Sequence, residues 1–333
     1  MPRILITGGA GFVGSHLAAT ALAANHQVHI VARPSSDISR LEKLGGQVER
    51  HRFDLRDDAE LRRCLADIRP QIVFHLAASP RRREHAGLED VHEFVREDLD
   101  NLILLLRRLG ESRRPPSVVI RTGSLAEYGT APPPHREEQR EEPVTAYSAA
   151  LVAATQLVSG IQARLPFPAI TARLALVFGP AQSKDYFVPL LISRCLAGQE
   201  AVVLRPDDRR DFIFVDDVVT ALLRLASVVG RKAGVINISS GVAPSMRKVA
   251  KLIVDLTEAD PSLVKYSESS PASGAPHLCC SPELAGRLLG WRTSISLPDG
   301  LARTVQWYRE QLECAAMPLS ITGLQGAAPE QRI

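Results

Sequence analysis

Short apolar runs alternate with longer stretches of helical period through the first half of the chain. Ile4 to Thr7 reads as a buried strand, and Ser15 to Ala24 as the helix that follows it. Val28 to Ala32 predicts a second strand, Asp58 to Ala66 a helix, and Ile72 to Ala77 a further strand. Val91 to Leu109 predicts a long helix with an apolar face through Leu99 to Leu106, and Ser117 to Arg121 the next strand. A proline-rich, charged loop from Thr130 to Pro143 leads to a helix from Ala146 to Arg164, and Ile170 to Val177 resumes the sheet. This is the βαβ rhythm of a parallel sheet covered on both faces, an α/β fold. From Gly179 the rhythm loosens. A helix is expected at Phe187 to Ala197, a short strand at Val202 to Leu204, a helix at Asp216 to Val228 and a last strand at Val235 to Ser239. Val264 to Trp307 mixes Pro, Gly and Ser with what read as short elements.

Between the first strand and its helix stands Thr7-Gly8-Gly9-Ala10-Gly11-Phe12-Val13-Gly14. Gly8 and Gly9 permit a tight turn, Gly11 lets backbone approach a pyrophosphate, and Gly14 lets helix pack on strand, with the phosphates at the helix N-terminus. The pattern therefore predicts a doubly wound Rossmann sheet that binds a dinucleotide. The expected organisation is a dinucleotide-binding domain over residues 1–178, with 205–245 returning to the sheet. Residues 179–204 and 246–316 form a smaller C-terminal substrate-binding lobe over the sheet's carboxyl edge, and 317–333 a flexible tail.

Composition narrows the partners. With 333 residues, 45% hydrophobic and 23% charged, the chain is an ordinary globular protein. A net charge of +3 spread along the chain argues against nucleic acid and for a small-molecule partner. Cys64, Cys195, Cys279, Cys280 and Cys314 have no metal-ligand spacing, and no metal is expected of them. A reducing, cytoplasmic setting fits. No basic leader with an apolar core and no membrane-spanning run is expected.

Several further motifs, in this order and spacing, resemble the extended short-chain dehydrogenase/reductase family of nucleotide-sugar epimerases, dehydratases and reductases. They are the glycine turn, Asp54-Leu55, His75-Leu76-Ala77-Ala78, Thr122-Gly123-Ser124-Leu125-Ala126-Glu127-Tyr128-Gly129, Tyr147, Phe178-Gly179-Pro180, Arg210-Asp211-Phe212 and Val215-Asp216-Asp217. The resemblance covers Pro2 to Trp307. It implies that Tyr147 is the catalytic tyrosine and that Ser124 orients the substrate oxygen; read on their own, they are the opening residue of a helix and a polar strand end. Gly8, Gly11, Phe12, Val13, Gly14, Asp54, Leu55, Leu76, Ala77, Ala78 and Thr122 are expected along the cofactor's path. Ser79, Arg81 and Arg210 are expected at the nucleotide sugar, although Arg210 also reads as the ion-pair partner of Asp208 or Asp211. The helices over 91–109 and 146–164 are expected to pair into a homodimer, as in that family.

One departure matters. The family's tyrosine is followed four residues later by a lysine that lowers the phenol's pKa, whereas this chain has Leu151. Either another cation reaches in, with Arg82, Arg173 and Lys184 as candidates, or the chemistry is altered, or the site only binds. Leu125 and Ala126 stand where the family's dehydratases carry an acidic pair, so dehydration is not expected. At the end of the second strand no carboxylate stands ready for an NAD ribose. Arg33 with Ser35 and Ser36 suits a 2′-phosphate instead, although Asp37 is near. The reading that follows is an NADPH-dependent reductase of a nucleotide-diphosphate 4-keto-6-deoxysugar. The alternatives are a nucleotide-sugar 4-epimerase with tightly bound NAD and a non-catalytic nucleotide-sugar or dinucleotide-binding protein.

Overall fold

The apolar runs of the first half assemble into one parallel sheet, seen in a computed structural model that describes residues 1–77, 88–227, 234–267 and 275–316. In chain order the first elements are β1 (Arg3–Thr7), α1 (Phe12–Ala23), β2 (Gln27–Ala32), β3 (Val48–Arg52), α2 (Asp58–Ile68) and β4 (Ile72–His75). Then come α3 (Glu89–Phe94), α4 (Asp100–Gly110), β5 (Val118–Ser124), α5 (Ala146–Ile161) and β6 (Ala169–Leu174). Beyond them run β7 (Leu176–Phe178), α6 (Phe187–Leu196), β8 (Ala201–Val203), β9 (Arg209–Arg210), β10 (Phe212–Phe214), α7 (Val215–Ser227) and β11 (Val235–Ile238). The last are α8 (Met246–Thr257), β12 (Val264–Tyr266), β13 (His277–Leu278), α9 (Glu283–Leu289) and α10 (Leu297–Ala316).

Seven strands hydrogen-bond in the order β11-β6-β5-β4-β1-β2-β3, every pair parallel. Successive side chains of a strand point to opposite faces, and both faces here are apolar. Ile4, Ile6, Phe74, Ile120 and Ile170 pack with Leu17 of α1 and Val218 and Leu222 of α7. Leu5, Val73 and Val119 pack with Leu61 of α2, Leu102 and Leu105 of α4, and Ala154 and Val158 of α5. The chain leaves β1 toward β2 on one side and reaches β4 on the other, so a crevice opens at the carboxyl ends of β1 and β4.

The later segments add small parallel pairs, β7 with β10, β8 with β12 and β9 with β13. Leu191 of α6, Ile253 of α8 and Leu301 of α10 join the same apolar core as α1, which packs this lobe onto the sheet.

The structure differs from the sequence reading in several places. Edge strand β3 escapes an apolar pattern because only Val48 of its five residues is buried. The expected strand from Ile170 to Val177 breaks after Leu174, and β7 leaves the main sheet to pair with β10. The long helix over 91–109 contains a wider turn at Val95–Leu99 between α3 and α4. The region read as short elements instead ends in α10, a helix of 20 residues. Its Leu301, Val305 and Tyr308 are buried at helical spacing, and Pro298 is tolerated because it sits in the first turn, where its missing N–H is not needed. Among the described residues, no helix is long and apolar enough to cross a membrane. The expected tail over 317–333 lies outside the described residues.

Candidate active site

At the crevice the glycine turn is held by sterics. Gly8 has φ +72°, and a Cβ there would stand 2.7 Å from the backbone of Leu76 and Ala77. A Cβ on Gly14 would stand 2.4 Å from the Gly8 carbonyl oxygen, so a glycine is what lets α1 lie against the turn. Helix α1 begins at Gly11 with no side-chain cap and no acidic residue in its first turn. The N–H groups of its first turn have no partner within the helix, and Gly11 at that end lines the cleft, an arrangement that fits the phosphates of a dinucleotide.

The cleft measures about 290 Å³ and is lined by Gly8, Gly11, Arg33, Ser36, Asp54, Leu55, Leu76 and Ala77 of the expected cofactor residues. Phe12, Val13 and Gly14 sit in the first turn of α1, Ser35 is exposed in the turn after β2, and Thr122 is partly exposed near the end of β5. Ala78, Ser79, Arg81 and Arg82 lie outside the described residues. Arg33 projects outward, with Nη1 3.8 Å from the Glu97 carboxylate. Asp37, in the same wall, accepts from the Ser39 N–H at 2.8 Å and the Ser39 hydroxyl at 3.0 Å. Asp54 takes a two-pronged grip from Arg56, 3.0 Å to Nε and 2.6 Å to Nη2, which holds its carboxyl down at about 2.

The catalytic candidates stand on β5 and α5. Ser124 ends β5 and caps the tight turn Leu125–Tyr128, its Oγ accepting from the Ala126 N–H at 3.1 Å. Because the chain turns there, Glu127 folds back beneath Ser124 rather than continuing a strand. Its Oε1 accepts from the Ser124 N–H at 3.0 Å, and its Oε2 accepts from the Thr155 hydroxyl at 2.7 Å and from Arg173 Nε at 2.8 Å. Arg173 also reaches Glu141 and lies 4.5 Å over the Tyr128 ring. Tyr147 is the second residue of α5, whose N-terminus Thr145 caps by accepting from the Ser148 N–H at 3.1 Å. Its ring centre lies 5.8 Å from that of Phe94. Burial pushes the phenol well above its ordinary range, Tyr186, Glu127 and Asp98 push the same way, and Arg121 pulls it back.

Arg121 is the residue that sequence reasoning missed. Leu151 is buried, Arg173 is bound to two carboxylates and Lys184 is exposed. Arg121 lies within β5, three residues before Ser124, and donates from Nη1 to Thr155 Oγ1 of α5 at 2.9 Å and to Thr171 Oγ1 at 3.3 Å. It belongs to a buried polar row, Thr7, His75, Arg121 and Thr171, that stands in register across β1, β4, β5 and β6. The available signal was a charge at the end of the apolar run Val118-Val119-Ile120.

Arg210 is held by its neighbours. Nη2 meets Asp208 at 2.7 Å, and Nη1 donates to the Arg209 and Pro276 carbonyls at 3.0 and 2.9 Å. Asp211 instead accepts from the Ser240 and Gly241 N–H groups at 2.9 and 3.0 Å.

A parallel sheet with a glycine turn at its switch point, and a serine and a tyrosine presented near its carboxyl edge, define the dinucleotide-binding, Rossmann class of enzyme. The sequence profile of the NAD dependent epimerase/dehydratase family matches residues 4–239, and the chain belongs to that family. It is 28% identical to the UDP-glucose 4-epimerase of Mycolicibacterium smegmatis over 327 residues, covering 93% of this chain and 99% of that protein. It is 27% identical to the dTDP-glucose 4,6-dehydratase of Neisseria gonorrhoeae, covering 92% of this chain and 95% of that protein. The solved structure of MoeE5 in complex with UDP-glucuronic acid and NAD superposes with a TM-score of 0.82 at 29% identity, covering 93% of this chain and 99% of MoeE5.

The polar row has a measurable consequence for stability. His75 accepts or shares a proton with Thr7 Oγ1 at 2.8 Å, and burial, reinforced by Arg121, pulls its pKa down to about 3. Below pH 6.5 the unfolded chain takes up a proton that the folded chain refuses. The stability this neutral imidazole allows is thus complete above pH 6.5 and is lost progressively as pH falls toward 3. Between pH 6.5 and 5 the loss is about 2 kcal/mol. Urea unfolding of His75→Gln is expected to show that much less acid sensitivity than the parent chain, and equal sensitivity would refute the assignment.

Proposed function

We propose that this enzyme reduces a nucleotide-diphosphate 4-keto-6-deoxysugar with NADPH. The observation that carries the reading is Arg33, which follows β2 directly, lines the cleft and is 56% exposed. A carboxylate at that point would favour NAD by holding the ribose 2′-hydroxyl. A guanidinium fork with Ser36 beside it suits a 2′-phosphate, and NADPH is the cofactor of net reductions.

When bound, the nicotinamide supplies hydride to the carbonyl carbon. Ser124 Oγ holds the carbonyl oxygen, and Tyr147 gives that oxygen its phenolic proton, so the ketone becomes a neutral secondary alcohol and no charge remains on the sugar. The phenolate left behind needs a cation, and Arg121 is assigned that positioning role. Thr155 and Thr171, which its Nη1 meets, are uncharged, so these hydrogen bonds fix the guanidinium without cancelling its charge. Arg210 is assigned to the substrate diphosphate in exchange for Asp208, with Ser79 and Arg81 completing the substrate set.

A 4-epimerase that keeps NAD bound is the second reading. Asp37 in the same cleft wall and the resemblance to the Mycolicibacterium epimerase favour it. Stoichiometry separates the two. Incubation with a nucleotide-linked 4-ketosugar is expected to consume NADPH mole for mole, and Arg33→Asp is expected to shift preference toward NADH by at least about tenfold. Inversion at C4 with retained NAD and no net oxidation would instead establish the epimerase. Cofactor binding without turnover of any sugar, unchanged in Leu151→Lys, would leave a binding protein.

We also infer a homodimer through α3, α4 and α5. Val91, Val95 and Ile103 are 38%, 41% and 43% exposed at positions four and eight residues apart, a stripe that a second copy would cover. Sedimentation is expected to give twice the chain mass, and a monomer at micromolar concentration would contradict the inference.

A further inference from the structure

Away from the cleft, at the open edge of the sheet, three potential metal ligands meet on neighbouring strands. His29 stands on β2, and Glu49 and His51 stand on β3, all on the face that also carries Val31. His29 Nδ1 lies 3.3 Å from His51 Nε2 and 3.2 Å from Glu49 Oε2, and the three donor atoms all fall within 4.8 Å of one another. A ring nitrogen carries one hydrogen at most, so His29 Nδ1 cannot donate fully to both neighbours. One cation among the three atoms satisfies them together. Two ligands bound at about 2.0–2.1 Å to a tetrahedral zinc stand about 3.3 Å apart, which is the spacing of two of the three pairs here.

We propose that His29, Glu49 and His51 form a binding site for a divalent transition metal of the zinc type, with the fourth position open to water. The donor set, two imidazoles and a carboxylate, is one that zinc takes and that magnesium or calcium does not favour. The strands supply rigidity: His29 and Glu49 are direct partners in the ladder, and His51 follows two residues later on the same face. The site also has access, since His29 is 8% exposed while Glu49 is 71% exposed and opens it to solvent. Glu49 and Asp67 contribute negative charge around the two imidazoles, and Arg3 opposes it. Bound metal would clip the edge strand β3 to β2. Those two strands lead directly into Arg33 and Asp54, so the clip would brace the outer wall of the dinucleotide cleft.

Zinc and cobalt ions added to untagged, metal-stripped protein test the site without reference to catalysis. One zinc per chain is expected to bind and raise the Tm. His51→Ala and Glu49→Gln, both on the exposed edge strand, are each expected to weaken binding by at least about tenfold and to abolish the Tm rise. Cobalt is expected to give the visible bands of a tetrahedral nitrogen and oxygen site. Unchanged zinc affinity in both variants, a thiolate charge-transfer band that moves the metal to a cysteine, or no binding at millimolar zinc would overturn the proposal.

Discussion

A carboxylate with no exposed surface organises the end of the sheet where β5 closes on α5. Glu127 receives the Ser124 N–H, the Thr155 hydroxyl and the Arg173 guanidinium, and so ties the end of β5 to α5 and β6 at once. Burying such a charge is costly, and the cost is offset only when every lone pair is met by a donor of good geometry. Breaking one side of a buried ion pair typically costs about 3–5 kcal/mol, because the other charge is then stranded. The strand end that carries Ser124 and the helix that carries Tyr147 are thus tied together through one buried carboxylate. Arg173 in turn needs Glu141, which extends the constraint into the charged loop ahead of α5.

What the sequence disclosed follows from how local each constraint is. The glycine turn was legible because one backbone conformation at Gly8 and one close approach at Gly14 demand glycine whatever the rest of the fold does. The strands of the sheet interior were legible because burial on both faces leaves an unbroken apolar run. Edge strand β3 has neither property, and α10 was obscured by Pro298 and Gly300 near its start. Glu127 was not legible as an anchor, because its direction is set by the turn Leu125–Tyr128, where the strand has already ended. Arg121 was passed over for a different reason. Its effect on Tyr147 is electrostatic, and nothing in the residues around either position discloses that β5 brings the two together.

The cleft and the proposed catalytic pair stand on different elements of the fold. Around the cleft, arginines 33, 40 and 56 alternate with Asp37, Asp54, Glu97 and Asp98, so its field is mixed rather than uniformly positive. The proposed preference for NADPH rests on which groups are already paired. Asp54 is bound by Arg56 and Asp37 by Ser39, whereas Arg33 meets Glu97 only at 3.8 Å. On the proposed mechanism, Arg121 in β5 takes the part of a helical cation, and Leu151 stands at the helical position. Arg121 pulls down the proton affinity that burial raises at the Tyr147 phenol, while α5 is apolar at Leu151.

That exchange is the centre of the account, and the ionisation of Tyr147 reports on it directly. Titrating the tyrosine 13Cζ resonance by NMR, with Tyr147→Phe to assign it, compares the parent chain with Arg121→Met and Arg121→Lys. The phenol is expected to titrate at higher pH in Arg121→Met and to return toward the parent value in Arg121→Lys. The same titration in all three proteins would show that Arg121 does not act on Tyr147.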